Sequence, residues 1–234
     1  MIEILFLDLD DTILDFHKAE RLAIAKTLNT FDLEPTEDIL NRYHDINLMH
    51  WKMLERGELT RPQVLTGRFR MLFEELGRQV DAQAVARVYE KNLGIGHYFL
   101  PGALEAVQTL QKDYRLFLAS NGTATVQHSR LTSAGLYPYF EKVFVSQELG
   151  YNKPAKAFFD ACAKEIPGYA PEKALMVGDS LSSDILGGIN AGLPTCWVNP
   201  HHKPHPENIT PDYQIEALSQ LPELLQKINR EDAP

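Results

Sequence analysis

The sequence predicts an α/β protein: a parallel sheet with helices on both faces, interrupted after its first strand by a block of helices. Three observations predict it. The apolar run Ile2 to Leu7 reads as a central strand buried on both faces. From Pro101 onward, short apolar runs alternate with helical patterns, as in successive βαβ units. Between these parts, residues 13 to about 100 carry no strong strand signal and read as helices.

Taken in order, the first strand ends in Asp8-Leu9-Asp10-Asp11-Thr12. Asp15 then caps a helix through about Leu28, and Thr36 caps a second. Thr60-Arg61-Pro62-Gln63 fits a capping box, followed by Leu65, Phe69, Leu72, Phe73 and Leu76 at helical spacing, with Gly77 as the stop. A fourth helix covers Ala82 to Leu93. After Pro101-Gly102 a helix runs through Gln111, and a strand over Arg115 to Ala119 ends in Ser120-Asn121-Gly122. A helix to Ala134 precedes the strand Val143 to Val145. Lys153-Pro154 opens a helix to Lys164, with the proline in its first turn. The strand Ala174 to Val177 ends in Gly178-Asp179-Ser180; a helix to Ala191 and the strand Thr195 to Val198 follow. A tail helix is expected over Ile215 to Ile228. The expected division is a core of residues 1–14 and 100–234 and a helical cap of 15–99, placed over the acidic strand end like a lid.

Bulk composition narrows the function. The 234 residues carry 23 Lys and Arg against 32 Asp and Glu, a formal charge of −9, with no basic block. Such a chain gains nothing from counterion release on nucleic acid, so a polynucleotide partner is not expected. Cys162 and Cys196 lack metal or redox spacing and read as reduced core residues of a cytoplasmic protein. The N-terminus shows no signal-peptide pattern, and no run is long enough to span a membrane. His201, His202 and His205 sit in a proline-rich loop without a carboxylate or cysteine at ligand spacing, so a solvated loop is expected there. Phe16, His17, Trp51 and Tyr98 are better read as packing residues than as substrate contacts.

The polar residues cluster at strand ends and loops. In an extended segment Asp8 and Asp10 point to the same side of the chain, where two carboxylates repel unless a cation or a proton intervenes. Open parallel sheets hold their sites at the carboxyl ends of strands. The Ser120 hydroxyl and nearby backbone N–H groups suit phosphate oxygens, and Lys153 adds positive charge for them. Carboxylates from two strand ends, Asp8 and Asp179, can hold Mg²⁺, which prefers oxygen ligands and a substrate phosphate.

The ordered set Asp8-x-Asp10-x-Thr12, Ser120-Asn121-Gly122, Lys153-Pro154 and Gly178-Asp179 with Asp184 resembles the four motifs of the haloacid dehalogenase-like phosphohydrolases. The resemblance spans residues 1 to 200 and implies a Rossmann-like core with a type C1 cap. Asn47, Trp51, Gly57 to Thr60, Ser146 to Gly150 and Gly178 to Trp197 are similar to the pyrimidine 5′-nucleotidase branch. The resemblance implies that Asp8 is the nucleophile and forms an aspartyl-phosphate. It makes Asp10 the general acid and then the base. By the same resemblance, Asp8, Asp179 and the backbone carbonyl of Asp10 are expected to bind Mg²⁺, Ser120, Asn121 and Lys153 to hold the phosphoryl group, and Asp184 to support the metal from behind its direct ligands or to orient Lys153. Asp11 stands where many relatives carry Gly.

The expected activity is a Mg²⁺-dependent phosphomonoesterase acting on a small phosphorylated metabolite, foremost a nucleoside 5′-monophosphate. The alternatives are another phosphometabolite such as a sugar phosphate or phosphoglycolate, a phosphomutase, or a non-catalytic phosphate-binding module. Haloacid dehalogenation is disfavoured by Asp10, which that chemistry does not need. Monomer and dimer are equally open.

Overall fold

A computed structural model describes residues 1–231. Six parallel strands lie in the order β3-β2-β1-β4-β5-β6, with β1 (Ile4–Leu7) at the centre. β2 (Arg115–Ser120) and β4 (Ala174–Gly178) flank it, and β3 (Lys142–Val145), β5 (Thr195–Val198) and β6 (Tyr213–Ile215) complete the sheet. Ile4 to Leu7 pair with Arg115 to Leu118 on one side and Ala174 to Val177 on the other.

The apolar run of β1 is explained by this position, since both of its faces are covered. Leu5 and Leu7 point into a core shared with α5 (Ala103–Leu110), α6 (Ala124–Ala134) and α10 (Leu221–Glu231). Ile4 and Phe6 point into a second, aromatic core with Phe117, Phe144, and Phe158 and Phe159 of α8 (Lys156–Lys164), beneath α9 (Leu186–Ala191). Burying one such side chain contributes roughly 1.5–3 kcal/mol, so the central strand is a strong anchor for whatever follows it. Both cysteines are free and buried, as expected.

The helical block consists of α1 (Phe16–Thr30), α2 (Glu37–Glu55), α3 (Arg61–Glu75) and α4 (Ala82–Leu93). It has its own core, in which Tyr43, Phe69 and Tyr89 meet ring against ring. Asp15 caps α1 by accepting from the Lys18 N–H at 2.8 Å, and Gln63 accepts from the Thr60 N–H at 2.8 Å at the start of α3, both as the sequence implies. The chain leaves the sheet and returns side by side. Asp15 N donates to Tyr98 O at 2.8 Å and Leu100 N to Ile13 O at 3.0 Å.

Three expectations are corrected. The tail segment is not helical from Ile215. Tyr213–Ile215 forms the edge strand β6, too short and too weakly patterned to read, and the helix starts at Leu221, where Pro222 suits a first turn. The helix after Lys153-Pro154 begins only at Lys156, with Ala155 as its cap, so Pro154 lies before its first turn in a cis peptide bond. A short helix α7, Ser146–Leu149, follows β3 without having been expected. Among the described residues, no helix is long and apolar enough to cross a membrane.

Candidate active site

The carboxyl ends of β1, β2 and β4 lie side by side, so the residues that follow them share one edge of the sheet. Asp8 extends β1 by one residue, its N–H donating to Val177 O at 3.0 Å. Its carboxylate is buried and accepts from the Lys153 ammonium at 2.7 Å. The same ammonium donates to Asp184 Oδ1 at 2.6 Å and to the Ala119 carbonyl at 2.5 Å. Lys153 therefore gives one hydrogen bond to each of three segments, and its reach does not depend on a helix start.

Asn121 places the lysine. Its Oδ1 accepts from the Lys153 N–H and its Nδ2 donates to the Lys153 carbonyl, both at 2.8 Å. Ser120 is buried beside it. The serine oxygen accepts from Gly122 N at 3.2 Å and from Gln127 Nε2 at 2.8 Å, which leaves the hydroxyl proton to donate. Gly122 is required by space: a Cβ there would lie 2.4 Å from Gln127 Nε2. Gly178 is held more tightly still, since a Cβ would lie 2.1 Å from Asp184 Oδ2. Asp184 stands in a wide turn over Leu181–Ile185 and is buried, which removes its reading as a solvated helix acid. Its Oδ2 accepts from the Ser180 N–H at 3.0 Å.

Asp10 faces a different set of partners. Gln127 Nε2 donates to its Oδ2 at 2.7 Å, and the Arg130 guanidinium pairs with its Oδ1. Arg130 is fully buried and also donates to Gly96 O at 2.8 Å. Asp11 adopts φ +54°, a left-handed conformation that Asp tolerates better than most residues and Gly adopts freely. Its Oδ1 accepts from Phe16 N at 2.9 Å, tying the turn to α1.

The helical block also reaches this edge from α2 and α3. From the start of α3, Arg61 Nη1 donates to Asn121 O at 3.0 Å and Gly122 O at 2.9 Å, while Nη2 donates to Ser146 Oγ and Asn152 Oδ1, both at 2.6 Å. From the end of α2, Glu55 accepts from Ser182 Oγ at 2.8 Å. Of the aromatic residues read as packing, Phe16 and Tyr98 are half-buried against the helical core, Phe16 also lying against Arg130, Trp51 is half-buried against Arg61, and His17 is exposed rather than packed. The loop histidines 201, 202 and 205 are exposed, and no metal-binding cluster among the described residues includes them.

Electrostatics single out one point. Oxygens of Asp8, Asp179 and Asp184 lie within 4.8 Å of one another. Three carboxylates against one ammonium leave two negative charges uncompensated. Burial, with Asp184 and Asp10 adding repulsion that Lys153 only partly offsets, pushes the Asp8 carboxyl up to about 8. Burial, then Asp184 and Asp8, raise Asp179 well above the usual carboxylate range. Burial alone would lower the lysine, but Asp184 and Asp8 outweigh it and keep Lys153 above its ordinary value and charged. The two partners thus point opposite ways. Lys153 is held in its charged form, whereas Asp8 is held toward its protonated form, which a cation among the three carboxylates would reverse. An all-oxygen donor set carrying excess charge of two fits Mg²⁺.

Every residue singled out from the sequence for the site lies at this edge. Arg61, Gln127, Arg130 and Glu55 were missed. Each sits inside a helical pattern or its cap, where a polar residue reads as a solvated face; the one available signal was that Gln127 and Arg130 share a face with the buried Val126 and Leu131.

A parallel sheet with this charged edge has the form of an α/β enzyme whose site lies at the carboxyl ends of its strands. The chain belongs to the haloacid dehalogenase-like hydrolases, whose family model matches residues 2–192. It is 36% identical to pyrimidine 5′-nucleotidase PynA of Streptococcus pneumoniae (strain ATCC BAA-255 / R6), over 95% of this chain and 94% of that protein. It is 33% identical to pyrimidine 5′-nucleotidase YjjG of Escherichia coli (strain K12), over 95% and 97%. A crystal structure of the HAD-hydrolase YfnB from Bacillus subtilis, bound to magnesium and described as revealing interdomain movement, superposes with a TM-score of 0.92 at 38% identity, covering 96% of this chain and 98% of that one.

Proposed function

We propose that the chain is a Mg²⁺-dependent phosphomonoesterase of nucleoside 5′-monophosphates, pyrimidine ones foremost, working in the cytoplasm through an aspartyl-phosphate. The observation that carries this reading is the convergence of Asp8, Asp179, Asp184 and Lys153 on one point beside a Ser120 hydroxyl free to donate. PynA and YjjG, both named pyrimidine 5′-nucleotidases, support the substrate class. Residues 15–99 serve as the cap and 1–14 with 100–231 as the core; residues 232–234, expected in the core, lie outside the described residues.

In this reading Asp8, Asp179 and the Asp10 carbonyl hold Mg²⁺, which offsets the repulsion between an anionic nucleophile and an anionic ester. Asp184 fixes Lys153 and supports the metal ligands. Ser120, the Asn121 N–H and Lys153 hold the phosphoryl oxygens. An Asp8 oxygen attacks phosphorus as the ester P–O bond breaks, and Asp10 gives its proton to the departing alkoxide. Water then attacks the acyl phosphate, Asp10 takes its proton, and inorganic phosphate leaves with Asp8 restored.

The test is phosphate release, with Mg²⁺, from a panel of pyrimidine, purine and sugar monophosphates. Pyrimidine nucleotides are expected to give the highest kcat/KM. A preference for a sugar phosphate moves the substrate assignment, and no release from any ester leaves a binding module. Asp8→Asn is expected to abolish turnover with the fold intact. Asp10→Asn is expected to cost at least the ~10²-fold typical of lost acid–base help.

A further inference from the structure

A second convergence of ligand-type side chains lies away from the carboxylate edge. His17 and Glu20, one helical turn apart at the start of α1, face His44 of α2. One ligand atom from each falls within 4.8 Å of the other two. His44 Nδ1 stands 2.6 Å from Glu20 Oε2, the two histidine rings have centroids 4.8 Å apart, and His17 Nε2 lies 3.5 Å from Asp11 Oδ2.

We propose that His17, Glu20 and His44 form a binding site for a d-block divalent cation such as Zn²⁺ or Co²⁺, distinct from the Mg²⁺ site. The donor set decides the class of ion. Two imidazoles and one carboxylate suit Zn²⁺ and its neighbours, with a fourth place left for water or for Asp11. Mg²⁺ is served by the oxygen-only set around Asp8.

Glu20 is built as a ligand is. It is buried, although no Lys or Arg among the described residues pairs with it. Its other oxygen accepts from Asn47 Nδ2 at 2.6 Å, and Asn47 Oδ1 accepts from buried Arg68 at 2.7 Å. Such outer hydrogen bonds fix the orientation of a metal-binding carboxylate. Donors around a tetrahedral Zn²⁺ sit roughly 3.4 Å apart, given bonds of about 2.1 Å. The His44–Glu20 pair, 2.6 Å apart as a hydrogen bond, would open to that spacing as a cation takes the place of the shared proton, and His17, whose side chain is 66% exposed, would turn in to complete the set.

A cation here would cross-link α1 and α2 beside the Asp10-Asp11 turn, whose Asp11 carboxylate already accepts from the N–H groups of Phe16 and His17. It would thus stiffen the passage from β1 into the helical block, whatever ester the enzyme cleaves.

The experiment is a Co²⁺ titration of chelator-treated protein held in excess Mg²⁺, followed by visible absorption and calorimetry, with no activity readout. Wild type and Asp179→Asn are both expected to bind Co²⁺ with the absorption of a nitrogen-ligated ion of low coordination number. His17→Ala and His44→Ala are expected to lose more than the 10–100-fold in affinity typical of outer-shell changes. His17 is exposed, so that variant keeps its fold, which circular dichroism checks. Unchanged Co²⁺ affinity in both histidine variants, or binding lost only in Asp179→Asn, overturns the proposal.

Discussion

Arg130 is the residue whose role the structure changes most. It is buried without exposure and spends its charge on Asp10. Together with the Gln127 amide, this guanidinium fixes where the Asp10 carboxylate points. Arg130→Met is expected to lower kcat at least ~10-fold with little change in KM, since a hydrogen bond to a charged group is worth about 1.5–3 kcal/mol, and Arg130→Lys is expected to restore part of the loss; an unchanged kcat in Arg130→Met would show that Arg130 only packs. The acidic residues were legible because three acids in four positions after an apolar strand is a rare pattern with an electrostatic consequence. Arg130 was not legible, because its partner lies 120 residues away and nothing local marks it.

At the scale of elements, α3 does more than its periodicity suggests. Its capping box was readable, but the purpose of Arg61 just inside it was not. One guanidinium gathers the carbonyls after Ser120, the hydroxyl of Ser146 and the amide of Asn152. It thereby couples the helical block to both loops assigned to the phosphoryl group. Arg61→Ala is expected to lower kcat/KM at least ~10-fold with an unchanged circular dichroism spectrum, since each hydrogen bond to a charged group is worth about 1.5–3 kcal/mol. Arg61→Lys should restore little, because an ammonium cannot reproduce the fork. Wild-type kcat/KM in both variants would remove this role. The four long helices of the block were legible from apolar spacing and caps. The edge strand β6 was not, since three residues with one buried side chain leave no period to detect.

For the whole molecule, the buried carboxylates tie stability to pH and cation. Asp8 sits at about 8 in the folded protein against an ordinary 3.8, and Asp179 is raised as well. The unfolded chain releases these protons near pH ~4. Between that value and about 8, the cation-free fold holds protons that the unfolded chain has lost, so its stability falls as pH rises through the window. Mg²⁺ should reverse this. The gain in Tm on adding saturating Mg²⁺ is expected to be larger near pH ~8 than near pH ~5, since binding to the folded state alone stabilises it. Asp8→Asn is expected to raise the cation-free Tm at the higher pH. Scanning calorimetry checks both, and a Mg²⁺ effect independent of pH would count against the charge arrangement described above.

The two crossings between sheet and helical block form one narrow neck, Leu14 against Phe99, rather than two separate attachments. A neck of that form is a seam. Whatever is spliced into it is held beside the same charged rim, so exchanging the inserted helices is expected to alter what can reach that rim while the carboxylates and the lysine stay where the strands put them.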